Sequence, residues 1–251
     1  MSKDIWMGSR ENARRRLNVR RGGLFPCLLA GLLLVFLVLL LAVFLTASQE
    51  ALFERLLVDH LNFQSLQTDE ASVRSFARET VLYITHRQSV WEPQITINGF
   101  PAGSFIPPSF RGHMAEVRDW LGLGKLVFSL GFGFAALLLG GSILVGGLRG
   151  RRGFSLGGYY LGVGLAVLAI AILALWGALH FESLWQILHE VLIPNGIFSA
   201  SEPVMKLFPL EVFAGYLPPV LMTFGLLLLA VLALPLLLSP FARAVTQNAY
   251  R

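Results

Sequence analysis

The stretch LFPCLLAGLLLVFLVLLLAVFL, residues 24–45, decides the fold because it contains no charged residue and hardly any polar one. About 20 helical residues are needed to cross the hydrocarbon core of a bilayer, so this run is long enough to span a membrane. Lipid offers the backbone no hydrogen-bond partners, which favours a helix. Three further runs have the same character, and the predicted spans are residues 24–46, 126–148, 156–179 and 212–238. The sequence therefore predicts an all-α polytopic membrane protein with four transmembrane helices.

The composition supports the membrane class, since 55% of the residues are hydrophobic and only 14% are charged. Soluble domains have roughly a quarter of their residues charged. The first run has a basic flank and is followed by Thr46-Ala47-Ser48, as a cleaved signal peptide would be. Its apolar part is longer than the roughly 7–15 residues of a signal-peptide core, so a retained span is predicted.

The charges divide sharply between the two sides of the predicted membrane. The segments 1–23, 149–155 and 239–251 carry a net charge of +10, whereas the loops 47–125 and 180–211 carry −5. The positive-inside rule places both termini in the cytoplasm and both loops outside it. The basic pI of about 9.8 then reflects topology and attraction to anionic membrane lipids, not binding of nucleic acid.

The large loop 47–125 is too long to be a simple connection. Helical stripes of apolar residues over 49–62 and 69–83 predict two amphipathic helices. Such helices are expected at the membrane surface, over the mouth of the helix bundle. Residues 95–99 predict a short strand and turn, and a further helix is expected to start near Ser109 and run into the second span. The loop is therefore expected to be mainly helical.

Glycine is abundant in the second span, at Gly131, Gly133, Gly140, Gly141, Gly146 and Gly147. Small residues allow close contact between membrane helices, but glycine is also simply tolerated in such helices. Both interpretations remain open from the sequence.

The five histidines are the main candidates for chemistry, and on the predicted topology all of them lie outside the cytoplasm: His60, His86, His113, His180 and His189. His113 and Glu116 are one helical turn apart, so the carboxylate can orient the imidazole and raise its basicity, as a general base requires. A solvated pair on an interfacial helix is the simpler alternative.

Metal and cofactor chemistry are not predicted. His189-Glu190 would need a second histidine four positions after the first to form a zinc-protease motif, and Ile193 stands there. Cys27 is the only cysteine, so a disulfide framework is excluded.

Two short motifs carry a resemblance to a known family. The first is a His-Met-x-acid-Val-basic pattern before the second span, formed by His113, Met114, Glu116, Val117 and Arg118. The second follows the third span and comprises Phe181, Glu182, Trp185, Leu188, His189 and Asn195, then Pro209, Val212 and Phe213. In these motifs, and in its span count, the chain resembles the lipoprotein intramolecular transacylase (Lit) family of four-span membrane proteins.

The resemblance implies an acyltransferase of the bacterial cytoplasmic membrane with a lipoprotein substrate. In that reaction the sn-2 acyl chain of a diacylglyceryl lipoprotein moves to the α-amine of its N-terminal cysteine, giving a lyso-form lipoprotein. The implied catalytic residues are His113 and His189, with Glu116, Glu182 and Asn195 in support and no metal or cofactor. Which histidine is the base stays open. The family usually has aspartate at Glu116 and tryptophan near Phe198.

A non-enzymatic membrane scaffold or accessory subunit is the alternative function. A small transporter is less favoured, because such proteins usually need ionisable residues within their spans. Convergence of His113 and His189 in a pocket open to lipid would favour the enzyme, and wide separation on solvated surfaces would favour the scaffold.

Overall fold

The structure is a computed structural model that describes residues 23–148, 154–193, 198 and 202–248. Most of the basic residues that predict the topology, in segments 1–22 and 149–153, lie outside the described residues, and so does Asn195.

Helices dominate the described chain. In order they are α1 (Leu24–Ala47), α2 (Glu50–His60), α3 (Phe63–Leu66), α4 (Glu70–Ile84), α5 (Ala102–Phe105), α6 (Pro108–Leu148), α7 (Leu156–Leu179), α8 (Phe181–Leu192), α9 (Leu210–Ala214) and α10 (Leu217–Asn248). Strands β1 (Thr96–Ile97) and β2 (Phe100–Pro101) form an antiparallel hairpin between α4 and α5. A 3-10 turn, Pro203–Leu207, precedes α9.

In the part of the chain that the structure describes, four helices are long and apolar enough to cross a membrane, namely α1, α6, α7 and α10. The predicted all-α fold, with four spans and a large helical loop between the first two, is confirmed. Helix α6 has 41 residues, about 60 Å at 1.5 Å per residue, which is twice the thickness of the hydrocarbon core. Its first part, residues 108–125, holds all of its charged residues, so this part lies outside the apolar, membrane-spanning section that follows.

The fourth span begins later than predicted. The predicted span starts at Val212, but that residue belongs to the separate helix α9 and is fully buried. Gly215, between the helices, lies so close to Leu56 that an added Cβ would be 2.5 Å from its side chain. Helix α10 then starts with Leu217-Pro218-Pro219, since proline is well accepted in a first helical turn. Mean apolarity alone did not reveal this break.

Residues 40–127 and 171–225 form one compact unit, here called the loop unit. Its core joins the apolar faces of α2 and α4 to Val204, Leu207 and Val212 from the later segment. Leu57 and Phe76, one from each helix, are completely buried. Each such side chain contributes about 1.5–3 kcal/mol by leaving water. Protein therefore covers the apolar faces of α2 and α4. The position of these helices at the membrane surface, over the mouth of the bundle, stays a prediction.

Residues 23–39, 128–170 and 226–248 belong to a second compact unit, in which α1 and α7 are in backbone contact. Gly158 and Gly162 of α7 follow the small-xxx-small spacing of close membrane helices. A Cβ on Gly162 would overlap the Leu28 carbonyl group of α1. In the second span, Gly131 meets Leu37, whereas Gly133, Gly140 and Gly141 have no described atom within 4 Å of an added Cβ. Close packing therefore depends mainly on the third span.

A buried hydroxyl ties α7 to α10 in the same unit. Pro235 has no N–H, so the carbonyl of Val231 loses its partner in the helix. The hydroxyl of Tyr159 donates to that carbonyl at 2.7 Å. The bond replaces what proline removes, in a setting where lipid offers no donor.

The contact of Gly162 with α1 predicts a position-specific effect on stability. We expect Gly162→Ala to lower the free energy of unfolding by about 1–3 kcal/mol, since the new methyl group must displace backbone. Gly164→Ala is the matched control, because its Cβ meets nothing within 4 Å. Thermal unfolding in detergent measures both, and equal melting temperatures would contradict the α1–α7 contact.

Candidate active site

His113 lies in the charged first part of α6, where its ring packs among aromatic side chains. Phe110, one turn earlier, has its ring centroid 5.7 Å from that of His113, and Phe198 lies at 5.5 Å on another side. The Nδ1 atom of His113 is buried and has no hydrogen-bond partner among the described residues. A buried imidazole nitrogen without a partner is costly, so it is a candidate to meet a polar group of a substrate.

His189 lies in the last turn of α8 and has a defined tautomer. Its Nδ1 is 3.0 Å from the carbonyl oxygen of Trp185. A carbonyl oxygen only accepts, so Nδ1 carries the hydrogen and Nε2 is the atom that exchanges protons. The indole of Trp185 packs against the imidazole at 4.3 Å between centroids, and Phe213 stacks on the indole at 4.4 Å. The ring of His189 is therefore held by one hydrogen bond and one aromatic contact.

The structure brings the two histidines together. The ring centroids of His113 and His189 are 6.0 Å apart, with an angle of 35° between the planes. Both residues belong to the loop unit. At this separation a single small group of a substrate can hydrogen-bond to both imidazoles, since each such bond spans about 3 Å. Of the two alternative functions, this short distance between the imidazoles favours the enzyme over the scaffold.

Burial lowers the pKa of His113 below its ordinary value of 6.5, because the charged imidazolium loses hydration. A positive charge on His189 lowers this pKa further, while the carboxylate of Glu116 raises it. His113 is therefore neutral near pH 7, and the pair resists carrying two protons at once.

The three supporting residues predicted from the sequence differ in their placement. Glu116 is one turn from His113 and acts on it through its charge, although the Nδ1 atom of His113 forms no hydrogen bond to it. Glu182 is exposed in the first turn of α8, about 10 Å along the helix axis from His189. Asn195 lies outside the described residues. Of the two that the structure describes, Glu116 is the one that lies beside the pair.

An aromatic shell around the two imidazoles was not predicted. Phe110 and Phe198 contact His113, and Trp185 contacts His189. Phe208 and Phe213 complete the shell by packing on these rings. Trp185 had a signal in the sequence, since it stands one turn before His189 on the same face. Phe198 occupies the region where the related family usually has tryptophan, so this departure keeps an aromatic ring against His113.

The other histidines lie elsewhere. His60 is exposed at the end of α2, and His180 is exposed before α8. Both ring nitrogens of His86 bond to Arg118. Among the described residues there is no group of three histidine, cysteine or acidic side chains that could hold a metal ion.

The chain is similar to proteins of one known family. A model of the family described as lipoprotein intramolecular transacylase Lit matches residues 28–213, well over half of the chain. A solved structure of the membrane-integral lipoprotein intramolecular transacylase Lit from Bacillus cereus aligns with a TM-score of 0.62 and 14% identity, over 87% of this chain and 96% of that one. A second structure, of a histidine-to-arginine variant of Lit from the same organism, aligns with a TM-score of 0.56 and 16% identity, over 96% and 97%. These likenesses concern the fold. A search of curated proteins gave no significant match.

The electrostatics of His113 can be measured directly by NMR titration of histidine-labelled protein in detergent. We expect its pKa to lie below 6.5, and Glu116→Gln to lower it further, because the carboxylate favours the protonated ring. Glu182→Gln is the matched control and should leave the titration unchanged, since this side chain is exposed and two turns from His189. A His113 pKa above 6.5, or one raised by Glu116→Gln, would contradict the site described here.

Proposed function

The chain belongs to the lipoprotein intramolecular transacylase family of membrane enzymes, and on that premise we propose that His113 and His189 together catalyse an acyl shift within one lipoprotein. The substrate carries a diacylglyceryl thioether and a free α-amine on its N-terminal cysteine. The acyl chain at the sn-2 oxygen moves to that amine. The observation that carries the proposal is the convergence of the two imidazoles at 6.0 Å.

The bond changes define what the two imidazoles must do. The amine nitrogen attacks the sn-2 ester carbonyl, and a carbon–nitrogen bond forms while the carbon–oxygen bond to glycerol breaks. One proton must leave the nitrogen, and one must reach the sn-2 oxygen. The products are an amide and a free hydroxyl on glycerol, so atoms and charge balance without metal or cofactor. General acid–base catalysis typically contributes about 10²–10⁴-fold to such a step.

His113 is assigned the role of base in this proposal. Its pKa is lowered by burial, so the ring is neutral and can accept the proton from the attacking amine near pH 7. His189 starts the cycle in this proposal with a proton on each ring nitrogen. It donates from Nε2 to the leaving sn-2 oxygen, because the hydrogen on Nδ1 is held by the Trp185 carbonyl. Transfer of the proton from His113 to His189, directly or through the substrate, restores the pair for the next turnover.

Proximity supplies much of the remaining acceleration. The nucleophile and the ester belong to the same molecule, and well-oriented intramolecular reactions reach effective concentrations of about 10⁵ M or more. The task of the protein is then to hold the substrate in a conformation that brings its sn-2 ester next to its own α-amine. The aromatic shell offers apolar surface beside the imidazoles for this purpose.

The orientation of the chain is part of the proposal. The net charges of +10 and −5 on the two sides favour cytoplasmic termini. We propose on this basis that the two histidines lie at the outer face of a bacterial cytoplasmic membrane. Alkaline phosphatase, which is active only outside the cytoplasm, tests this assignment. A fusion after Arg251 should be inactive and one inserted at Gly99 active. The reverse pattern would overturn the orientation.

The catalytic assignment predicts the effect of single substitutions. We expect His113→Ala and His189→Ala each to reduce the rate of acyl migration by about 10²–10⁴-fold, as loss of general acid–base catalysis requires. The assay supplies a diacylglyceryl lipopeptide with a free amine and follows the sn-2 chain by tandem mass spectrometry. His60→Ala, at an exposed histidine outside the pair, is the matched control and should retain full activity. Full activity of either His113→Ala or His189→Ala would refute the site, and an inactive wild-type protein would refute the function.

A further inference from the structure

Three cationic side chains of α6 are spaced seven residues apart, which places them on one face of the helix. All three donate to backbone carbonyl groups of residues 85–91, the irregular segment that follows α4. Arg111 Nη1 lies 3.2 Å from the oxygen of Trp91, Arg118 Nη1 lies 2.9 Å from that of Ser89, and Lys125 Nζ lies 3.1 Å from that of Thr85. The segment therefore runs antiparallel along the charged first part of α6.

The arrangement matches the needs of both partners. Carbonyl groups at and beyond the end of α4 receive no hydrogen bond from within that helix. Backbone carbonyl groups that are removed from water need a partner from elsewhere. Cations are also favoured at a helix C-terminus, where the helix dipole is negative. The cations of α6 thus attach the end of α4 to the helix that carries His113.

Arg118 also contacts His86. Its Nε donates to Nδ1 of His86 at 3.1 Å, and Nε2 of His86 donates to the Arg118 carbonyl at 2.9 Å. His86 has a φ of +64°, a conformation that is unusual for a residue other than glycine. Gly122, one turn after Arg118, leaves room for the imidazole, since an added Cβ would lie 2.7 Å from Nε2. The fit between His86 and α6 is therefore specific.

A continuous series of aromatic contacts links Arg118 to His113. The guanidinium group lies 4.8 Å above the ring of Tyr83. Tyr83 stacks with Trp91 at 6.3 Å between centroids, Trp91 meets Phe110 at 6.0 Å, and Phe110 meets His113 at 5.7 Å. The indole nitrogen of Trp91 also donates to the hydroxyl of Thr80 at 3.2 Å. The ring of Phe110, which packs on His113, is thus held through Trp91 and Tyr83 by contacts that begin at Arg118.

We propose that Arg118 is a positioning residue for His113. It holds residues 85–91 and the stacked rings of Tyr83, Trp91 and Phe110 against α6, and these rings fix the position of the His113 imidazole. The inference rests on the proposed function, because it assigns His113 a role in acyl transfer. Arg118 touches neither imidazole of the pair, so it acts through the stack and not on substrate.

Lysine cannot replace arginine in this role. Arg118 uses Nε on an imidazole, Nη1 on a carbonyl oxygen and its planar face on a phenol ring at the same time. A lysine carries its donors on a single tetrahedral nitrogen and has no planar face, so it cannot meet all three partners in this geometry. Arg118→Lys therefore tests the geometry of the clamp separately from its charge.

The experiment compares Arg118→Ala and Arg118→Lys with Arg78→Ala in the full chain. Arg78 is exposed, belongs to the loop unit and pairs with Glu50 at 3.5 Å, so it is the matched control. For both Arg118 variants we expect kcat for migration of the sn-2 chain to fall about 10-fold or more with KM changed less than about threefold, since a small misplacement of a catalytic group is costly. Arg78→Ala should leave both constants unchanged.

A second readout does not depend on activity. NMR titration of labelled histidine should show the pKa of His113 rising toward 6.5 in Arg118→Ala, because a loosened stack admits water to the ring. Should Arg118→Ala fail to fold, His86→Ala removes the same clamp from the other side and should shift both readouts in the same direction. A folded Arg118 variant with kcat within twofold of wild type, or with the His113 titration unchanged, would overturn the inference. An inactive wild-type protein would instead refute the proposed function, and the titration would still decide the role of Arg118.

Discussion

The hydrocarbon core of a bilayer offers a protein no hydrogen-bond partners, and this constraint decides where the polar groups of the chain are located. Inside the spans every backbone group must be satisfied by a helix or by a neighbour, as the Tyr159 hydroxyl satisfies the carbonyl that Pro235 leaves open. Ionisable side chains are costly there. The two candidate histidines therefore lie beyond the ends of spans. His113 precedes the apolar section of α6, and His189 follows α7 by less than three helical turns.

The site combines apolar surroundings with one fixed hydrogen bond. Aromatic rings desolvate His113 and keep it neutral, whereas the Trp185 carbonyl sets the tautomer of His189. Two imidazoles in different environments can divide the work of base and acid, because a neutral ring accepts a proton and a ring whose Nδ1 is already bonded meets the substrate through Nε2. The same rings provide apolar surface for an acyl chain beside the reacting groups. The desolvated histidine and the lipid substrate thus require the same kind of environment.

Much of the architecture could be predicted from the sequence, because apolar runs and helical stripes are local signals. The spans of α1 and α7, the amphipathic helices α2 and α4 and the long helix through His113 follow from such patterns. The start of α10 did not, since Val212 is as apolar as a lipid-facing residue and only its burial in the loop unit separates it from the span. The contact of Gly162 with α1 depends on a partner distant in sequence, as does the burial of the α2 and α4 faces. Likewise, His113 and Glu116 were identified from their spacing, but the aromatic shell and the Arg118 clamp join segments that no local pattern connects.

The central claim is that the paired histidines belong to an enzyme that moves an acyl chain within one lipoprotein. It is tested most directly by tandem mass spectrometry of lipoprotein N-termini from a bacterium whose lipoproteins carry a free α-amine, with and without this protein. The account predicts that expression converts diacylglyceryl cysteine into a form of the same mass, with one acyl chain on the amine and a free sn-2 hydroxyl on glycerol. Lipoproteins that keep both chains on glycerol and a free amine, with the folded protein present in the same membrane, would contradict it.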